Sequence, residues 1–427
     1  MSYADFLAKK ARLHQQSGIT VDPSMIHESL HDWQRRIVRE TLERGRGAVF
    51  ADTGLGKTRM QIEWCRLIAD RSLIIAPLSV ARQTVREAEK IGVTVNYVRS
   101  PEQVTDGISI TNYEMVDKFD PAMFDAVALD ESSILKNFTG TTRNRLIKQW
   151  RDTPYRSSWT ATPAPNDVTE LCNQAEFLGT MSRNEMLAAY FVHDDDGWRL
   201  KGHAIDPMFS WMATWAIVAR RPSDVGGDDA AYVLPPLRLH SDVVRVEIEQ
   251  EGQLFATDLG GVGGRARVRK ATLAERIDVA ARRCSQPGQW IAWCGLNDEA
   301  EAIAATVDGA VNVYGTLTPD EKADAFEAFQ DGRIRVLVTK PSIAGMGMNF
   351  QQCHQMAFVG LSDSWESYYQ SIRRCWRFGQ QHPVDVHLVV SELETQIVDN
   401  IRRKESEVAS WVERLVSHMN IKETVTA

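Results

Sequence analysis

A chain of 427 residues is too long for one ordinary domain and suits two, and with 43% hydrophobic and 25% charged residues each half can bury a core. No window approaches the roughly 18 consecutive apolar residues of a membrane span, and the opening MSYADFLAKKARLH carries charges where a signal peptide needs an apolar stretch. Six scattered cysteines without a CxxC pair fit reduced thiols in a cytosolic protein and argue against a zinc site, while a net charge of −8 leaves any nucleic-acid binding to a local basic surface.

In chain order, short apolar runs recur, most followed by a helix-like stretch. The first half holds Ala48–Phe50, Leu73–Ala76, Ile108–Ile110, Val127–Leu129 and Ser158–Thr160. The second holds Trp290–Cys294, Val311–Tyr314, Arg335–Val338, Met356–Val359 and Val384–Val390. Unbroken rather than alternating hydrophobicity predicts strands covered on both faces, hence parallel sheets. The simplest architecture is two α/β sandwiches in tandem. Thr318-Pro319-Asp320-Glu321 predicts a capping box with proline at the first helical position, and Gly332 marks the helix end. The seam is expected near Tyr232–Pro236, with Gly260–Gly264 as a second flexible candidate. The division is then an extension over 1–25, a first lobe over 26–235, a second over 236–405 and a helical tail over 406–427.

Three motifs carry chemistry. Ala51-Asp52-Thr53-Gly54-Leu55-Gly56-Lys57-Thr58 follows the first apolar run and precedes a helical stretch. Its glycines let the backbone curl so that N–H groups point at phosphate oxygens, and the helix N-terminus adds partial positive charge. In such a loop Thr53, Gly54 and Gly56 line the phosphates, Lys57 reaches the β and γ phosphates, and the Thr58 hydroxyl ligates magnesium. The strict pattern has glycine at Ala51, whereas the looser AxTGxGKT form is met in full. Asp130-Glu131 ends the apolar run Val127–Leu129. There Asp130 is placed to hold magnesium and Glu131 to polarise the attacking water as general base; read alone, such a pair is more often a solvated strand end. Arg373, Arg374 and Arg377 are expected on one helix near the chain's end, with Arg374 and Arg377 on a shared face. A guanidinium given to the γ-phosphate stabilises charge in the transition state.

These motifs, in this order, resemble the helicases and translocases of superfamily two, most nearly the Swi/Snf-type branch in the compact form often encoded by bacteriophages. The resemblance spans roughly Leu30 to Lys404. Leu30-His31-Asp32-Trp33-Gln34 looks like the adenine-sensing segment, with Gln34 reading the base. Ala76-Pro77-Leu78-Ser79-Val80 and Thr111-Asn112-Tyr113-Glu114 resemble motifs touching the nucleic-acid backbone, which implicates Pro77, Ser79, Asn112 and Tyr113. Asp130-Glu131-Ser132-Ser133 with Leu135-Lys136-Asn137 is similar to the branch's extended acidic motif. Trp159-Thr160-Ala161-Thr162-Pro163 resembles the motif coupling hydrolysis to grip, through Thr160 and Thr162. Arg220-Arg221 with Asp224-Val225 matches the exit from the first lobe. In the second lobe Gly345–Asn349 looks like the glycine-rich motif, with Gly347 near nucleotide. Gln370, Arg374, Arg377, Gly379 and Gln380 match the terminal motif, where Gln370 also couples. Ser132-Ser133 stands where the branch has Ala-His, and Ala344 replaces a glycine.

The resemblance implies two tandem RecA-like lobes, each a mainly parallel sheet flanked by helices, with ATP and Mg2+ held between them. It implies an ATP-dependent DNA translocase or helicase that favours duplex, acts as a monomer in a bacterial or phage-infected cytoplasm, and serves replication, recombination or repair. Two alternatives stand beside it: a motor subunit working with a separate nuclease, and a DNA clamp without turnover. The densest basic stretch is Arg265, Arg267, Arg269, Lys270, Arg276, Arg282 and Arg283, a candidate for sequence-independent phosphate contacts. The tryptophans, Trp159, Trp198, Trp211, Trp215, Trp290, Trp293 and Trp376 among them, read as core rather than as base-stacking platforms.

Overall fold

The computed structural model describes residues 16–195, 197–245, 271–344, 348–361, 364–392 and 395–426. The chain divides into two compact units. One comprises the described residues up to Tyr232 together with the stretch from Ser406, and the other runs from Val233 to Glu405.

Seven parallel strands form the sheet of the first unit: β1 (Arg46–Ala51), β2 (Arg71–Ala76), β3 (Val95–Tyr97), β4 (Gly107–Asn112), β5 (Ala126–Asp130), β6 (Tyr155–Trp159) and, after a separate hairpin of β7 (Phe191–Asp194) with β8 (Gly197–Leu200), β9 (Ala216–Ala219). Their spatial order is β3-β4-β2-β5-β6-β1-β9, with Ala48 opposite Ala216 on one side of β1 and opposite Ser158 on the other. Successive residues of a strand point to opposite faces, and here both faces are covered. Ala48, Phe50, Leu73, Ile75, Val127 and Leu129 enter one core cluster. Val49, Ala51, Ile74, Ala76, Ala126 and Ala128 enter the other. That double burial is why these strands read as unbroken apolar runs.

Helices α1 (Asp32–Arg44), α2 (Lys57–Ile68) and α3 (Leu78–Glu89) supply Ile37, Val38, Ile62, Trp64 and Val80 to the second of these clusters. Helices α4 (Thr141–Gln149), α5 (Leu171–Leu178), α6 (Arg183–Tyr190) and α7 (Ile205–Met212) cover the first cluster through Leu146, Phe177, Met186 and Phe209. The C-terminal stretch joins that same cluster with Trp411, Leu415 and Val416, and Val218 N–H reaches Met419 Sδ at 3.2 Å.

The second unit has six strands, β10 (Leu237–Val244), β11 (Trp290–Cys294), β12 (Ala310–Val313), β13 (Val336–Thr339), β14 (Gln355–Val359) and β15 (Val384–Ser391). They are ordered β10-β15-β14-β11-β13-β12, and every described pairing is parallel. Its helices are α8 (Leu273–Cys284), α9 (Asn297–Thr306), α10 (Pro319–Gln330), α11 (Trp365–Ile372) and α12 (Thr395–Thr426), the last running on into the stretch that belongs to the first unit. Thr318 caps α10 as its sequence predicts: Glu321 N–H donates to Thr318 Oγ1 at 3.3 Å, and Thr318 N–H to Glu321 Oε2 at 2.7 Å. Helices α8 and α9 are joined by an ion pair with no solvent exposure, Arg276 Nη1 to Glu299 Oε1 at 2.7 Å. The other oxygen of Glu299 accepts the Gly295 and Leu296 N–H groups, both at 2.9 Å, so this buried carboxylate also holds the entry to α9. Among the described residues no helix is long and apolar enough to cross a membrane.

The strands with no counterpart among the predicted runs are β3, β9, β10 and the β7–β8 hairpin; of these only β9, Ala-Ile-Val-Ala, is a buried apolar run. Strand β10 sits at the sheet edge with Leu239 and Val243 exposed. The hairpin has no third strand, and it carries Trp198 at 40% exposure while Trp159, Trp215, Trp290 and Trp293 are fully buried and Trp211 nearly so. The expectation that Trp198 is core is therefore corrected: a two-stranded ribbon has nothing to bury it against.

Candidate active site

Apart from Leu30–Gln34, which opens α1, the motifs of the first unit stand at or just past the carboxyl ends of parallel strands, the edge where open α/β sheets bind ligands. Strand β1 leads into the phosphate loop, β2 into Pro77 and Ser79, β4 into Tyr113, β5 into Glu131 and β6 into Thr160.

The loop is built for close approach. Gly54 and Gly56 have φ of 91° and 80°, and a Cβ at Gly56 would lie 2.4 Å from Gln34 Nε2. Only glycine lets that amide sit so near. Gln34 is buried; its Nε2 donates to Leu55 O at 2.9 Å and its Oε1 accepts His31 N–H at 2.9 Å. The loop is tied to the sheet by Asp52 N–H donating to Ala219 O at 2.8 Å. Thr53 N–H donates to Asp52 Oδ1 at 2.6 Å. Lys57 and Thr58 open α2, where N–H groups lack helical partners. Lys57 Nζ donates to Ala51 O at 2.6 Å and Asp52 O at 3.1 Å.

Asp130 is buried at the end of β5. Burial and the neighbouring Glu131 carboxylate push its carboxyl up to about 7, against the pull of the Lys57 ammonium and the Glu131 N–H, which donates to Asp130 Oδ1 at 2.9 Å. Glu131 has φ 50°, the one positive φ outside glycine among the described residues, a conformation costing an L-residue roughly 1–2 kcal/mol. Its Oε2 is shielded from solvent without a hydrogen-bond partner. Two adjacent, partly desolvated carboxylates within electrostatic reach of an ammonium make a donor set that fits magnesium with a phosphate. Magnesium is commonly held by one or two carboxylates plus phosphate oxygens, and among the described residues no larger acidic, histidine or cysteine cluster offers another metal site.

Thr160 and Thr162, expected to couple hydrolysis to grip, are internal: Thr160 N–H donates to Val49 O at 3.2 Å, Thr162 N–H to Thr160 Oγ1 at 3.1 Å, and both side chains are buried. Asn112 and Tyr113, expected at a nucleic-acid surface, are buried as well. The Tyr113 hydroxyl donates to Asp130 O at 2.6 Å, which makes it a brace for the acidic strand end. Pro77 is half-buried and Ser79 exposed. Two residues not singled out by sequence hold the turn after Glu131. Gln174 Nε2 donates to Ser132 O at 2.9 Å, and Asn173 Nδ2 to Leu135 O at 2.8 Å and Lys136 O at 3.0 Å. These α5 amides link the segment after the threonines to the acidic turn where Ser132-Ser133 replaces Ala-His. Their only sequence signal is two adjacent amides, Asn173 and Gln174, in a helix whose one charged residue is Glu176.

In the second unit α11 ends at Ile372, so Arg374 and Arg377 do not share a helix face as expected. Beyond the helix Trp376 Nε1 donates to Pro235 O at 2.7 Å, and Arg373 lies over the Tyr369 and Trp376 rings at 5.8 and 5.0 Å. Arg374 is buried with Nη1 donating to Met348 O at 3.3 Å, and Arg377 is half-buried. Gln370 is buried and donates weakly to Glu366 Oε1 at 3.4 Å. Gln380 Nε2 donates to the Gln351, Cys353 and Cys375 carbonyls at 2.9, 3.0 and 3.2 Å, which fixes the loop beyond the arginines.

The basic stretch divides. Arg265, Arg267, Arg269, Lys270 and also Gly347 lie outside the described residues. Arg276 is consumed by Glu299, Arg282 pairs with Asp278 and Arg283 with Asp242. For Arg276, which has no exposure, this corrects the reading as a phosphate-contacting surface, whereas Arg282 is 66% exposed in its pair.

Residues 275–379 match the family model described as the helicase conserved C-terminal domain. A search of curated proteins by sequence found no match. Among solved structures the chain is similar to the Sulfolobus solfataricus SWI2/SNF2 ATPase core in complex with double-stranded DNA, at 16% identity and TM-score 0.45, covering 94% of this chain and 96% of that one. It is also similar to S. cerevisiae Dbp5 bound to RNA and ADP BeF3, at 14% identity and TM-score 0.58, covering 92% and 95%. The chain has the fold of a tandem RecA-like helicase core, and its second unit carries the helicase C-terminal domain.

Proposed function

We propose that this protein is a nucleic-acid-dependent ATPase of helicase superfamily two, of the Swi/Snf-type branch, that moves along duplex DNA. The observation that carries the reading is Lys57 of a glycine-built phosphate loop within electrostatic reach of the buried Asp130–Glu131 pair. Thr58 and Asp130 hold the magnesium, which when bound offsets phosphate charge. Gln34 spends one N–H and one lone pair on the protein and keeps a second of each for an adenine edge. Glu131 accepts a proton from the attacking water; its strained backbone and unpartnered oxygen suit a base held ready. Lys57 meets the β and γ phosphates, and Arg374 or Arg377 meets charge that develops in the transition state. The buried Thr160 and Thr162, with Asn173 and Gln174, carry a shift at Glu131 to the segment that follows.

The duplex preference rests on the extended acidic motif through Lys136-Asn137. Two assays test it, both with ATP and magnesium at moderate salt because phosphate-dominated binding weakens steeply as salt rises. Displacement of a triplex-forming strand from duplex DNA, with poor release of a strand from a fork, is expected. Efficient fork unwinding without triplex displacement makes it a conventional helicase.

A further inference from the structure

The first unit holds another cavity, about 550 Å³, lined by Lys136, Phe138, Glu170, Asn173, Arg183 and Trp198 among others and by no residue of the phosphate loop. Building on the reading of the chain as a nucleic-acid motor, we infer that this cavity takes one unstacked nucleobase from a bound strand. Its volume is ordinary for a small-ligand site, roughly 300–1,000 Å³. Two large aromatic side chains border it in the open, Phe138 at 52% and Trp198 at 40% exposure. Both have a side-chain neighbour: the Arg183 guanidinium, itself part of the lining, lies 4.4 Å from the Phe138 ring centre, and His193 meets Trp198 edge-on at 4.9 Å. Arg183 is itself fixed by donating to Thr169 O at 3.2 Å. Ordered, exposed aromatic rings are what an unpaired base stacks on.

The polar contact is supplied by Asn173, which is 1% exposed. Its two donations to the Leu135 and Lys136 carbonyls fix which end of the amide is nitrogen. The remaining Oδ1 is buried without a partner. A buried orphan acceptor is costly until a donor reaches it, and a base edge carries N–H donors. Asp167 and Glu170 are matched in the lining by Lys136 and Arg183, so the cavity carries no net charge with which to hold a phosphate, which suits an uncharged base whose sugar-phosphate stays outside.

The test uses the full-length protein, with Phe138→Ala and Trp198→Ala as variants. Both side chains are exposed, so thermal midpoints should stay near that of the wild type. Binding is measured to a single-stranded oligodeoxyadenylate and to an abasic strand of equal length. Each variant is expected to weaken deoxyadenylate binding by about tenfold, in the range of base–aromatic stacking, and to leave abasic binding unchanged. Equal affinity of variants and wild type for deoxyadenylate overturns the site, as does an equal loss on both strands. If nucleic acid stimulates ATP hydrolysis while either of those results holds, only the base site is wrong. A wild-type protein that binds neither strand overturns the base site, and the motor reading falls with it if duplex DNA also fails to bind or to stimulate ATP hydrolysis.

Discussion

Glu131 combines a left-handed backbone, a buried unpartnered oxygen and a neighbour, Asp130, whose carboxyl is pushed up to about 7 by burial and by Glu131 itself. Nothing in local propensity explains a glutamate there, because a glycine would relieve the strain. Glu131→Gln is therefore expected to keep ATP binding while turnover falls at least a hundredfold, roughly the worth of a general base; single-turnover phosphate release with a nucleotide-binding control checks it. Lys57→Ala should abolish hydrolysis while the chain still folds, since the ammonium donates to the Ala51 and Asp52 backbone carbonyls and its charge is needed where nucleotide binds; phosphate release and circular dichroism check it. Gly56→Ala tests the loop differently. Its positive φ and the 2.4 Å approach to Gln34 predict a loss of about 1–2 kcal/mol in stability and weaker discrimination of ATP from GTP, read by melting and by competition binding. At this scale the phosphate loop and the acidic pair were legible in the sequence because their chemistry is local. The brace from Tyr113 and the α5 amides were not, because they depend on which strand ends become neighbours.

The elements explain where sequence reading succeeds and where it fails. Strands buried on both faces, such as β2 and β5, announce themselves as apolar runs, whereas β10 alternates along an exposed edge and β3 is three residues long. The arginine segment reads as helix because its arginines are good helix formers at a three-residue spacing, yet α11 stops at Ile372 and the chain beyond it turns, with Trp376 bonded to Pro235. The α8–α9 pair shows the same override: Arg276 looks like one charge in a basic run, and packing makes it the partner of Glu299 with no exposure. Arg276→Met should destabilise the second unit by about 3–5 kcal/mol, because it strands a buried carboxylate; denaturant melts check it, and Arg276→Met with Glu299→Leu should recover part of the loss. Strands β10 and β15 also set a pH response. Burial, with Arg283 and His240 alongside and Asp242 opposing, holds His387 below 6.5, and burial with His382 does the same for His354. The unfolded chain then takes up these protons first, so stability is full above about pH 6.5 and declines as pH falls through the lower folded values. Replacing both histidines with asparagine should flatten the thermal midpoint between about pH 7 and pH 5.

For the whole molecule, two parallel sheets in tandem follow from the repeated strand–helix grammar of the sequence, and the similarity to Dbp5 agrees with that fold. The substrate does not follow from the fold, since one architecture serves many nucleic-acid transactions. The proposed function commits to ATP hydrolysis by Lys57, Asp130 and Glu131 under the control of a bound strand. The direct measurement is steady-state phosphate release by the full-length protein with magnesium, across single-stranded, duplex and forked DNA and RNA, for the wild type and Glu131→Gln. The account predicts hydrolysis that is slow alone, rises at least tenfold with nucleic acid, most with duplex DNA, and vanishes in Glu131→Gln. Hydrolysis indifferent to every nucleic acid, or undiminished in Glu131→Gln, would contradict it.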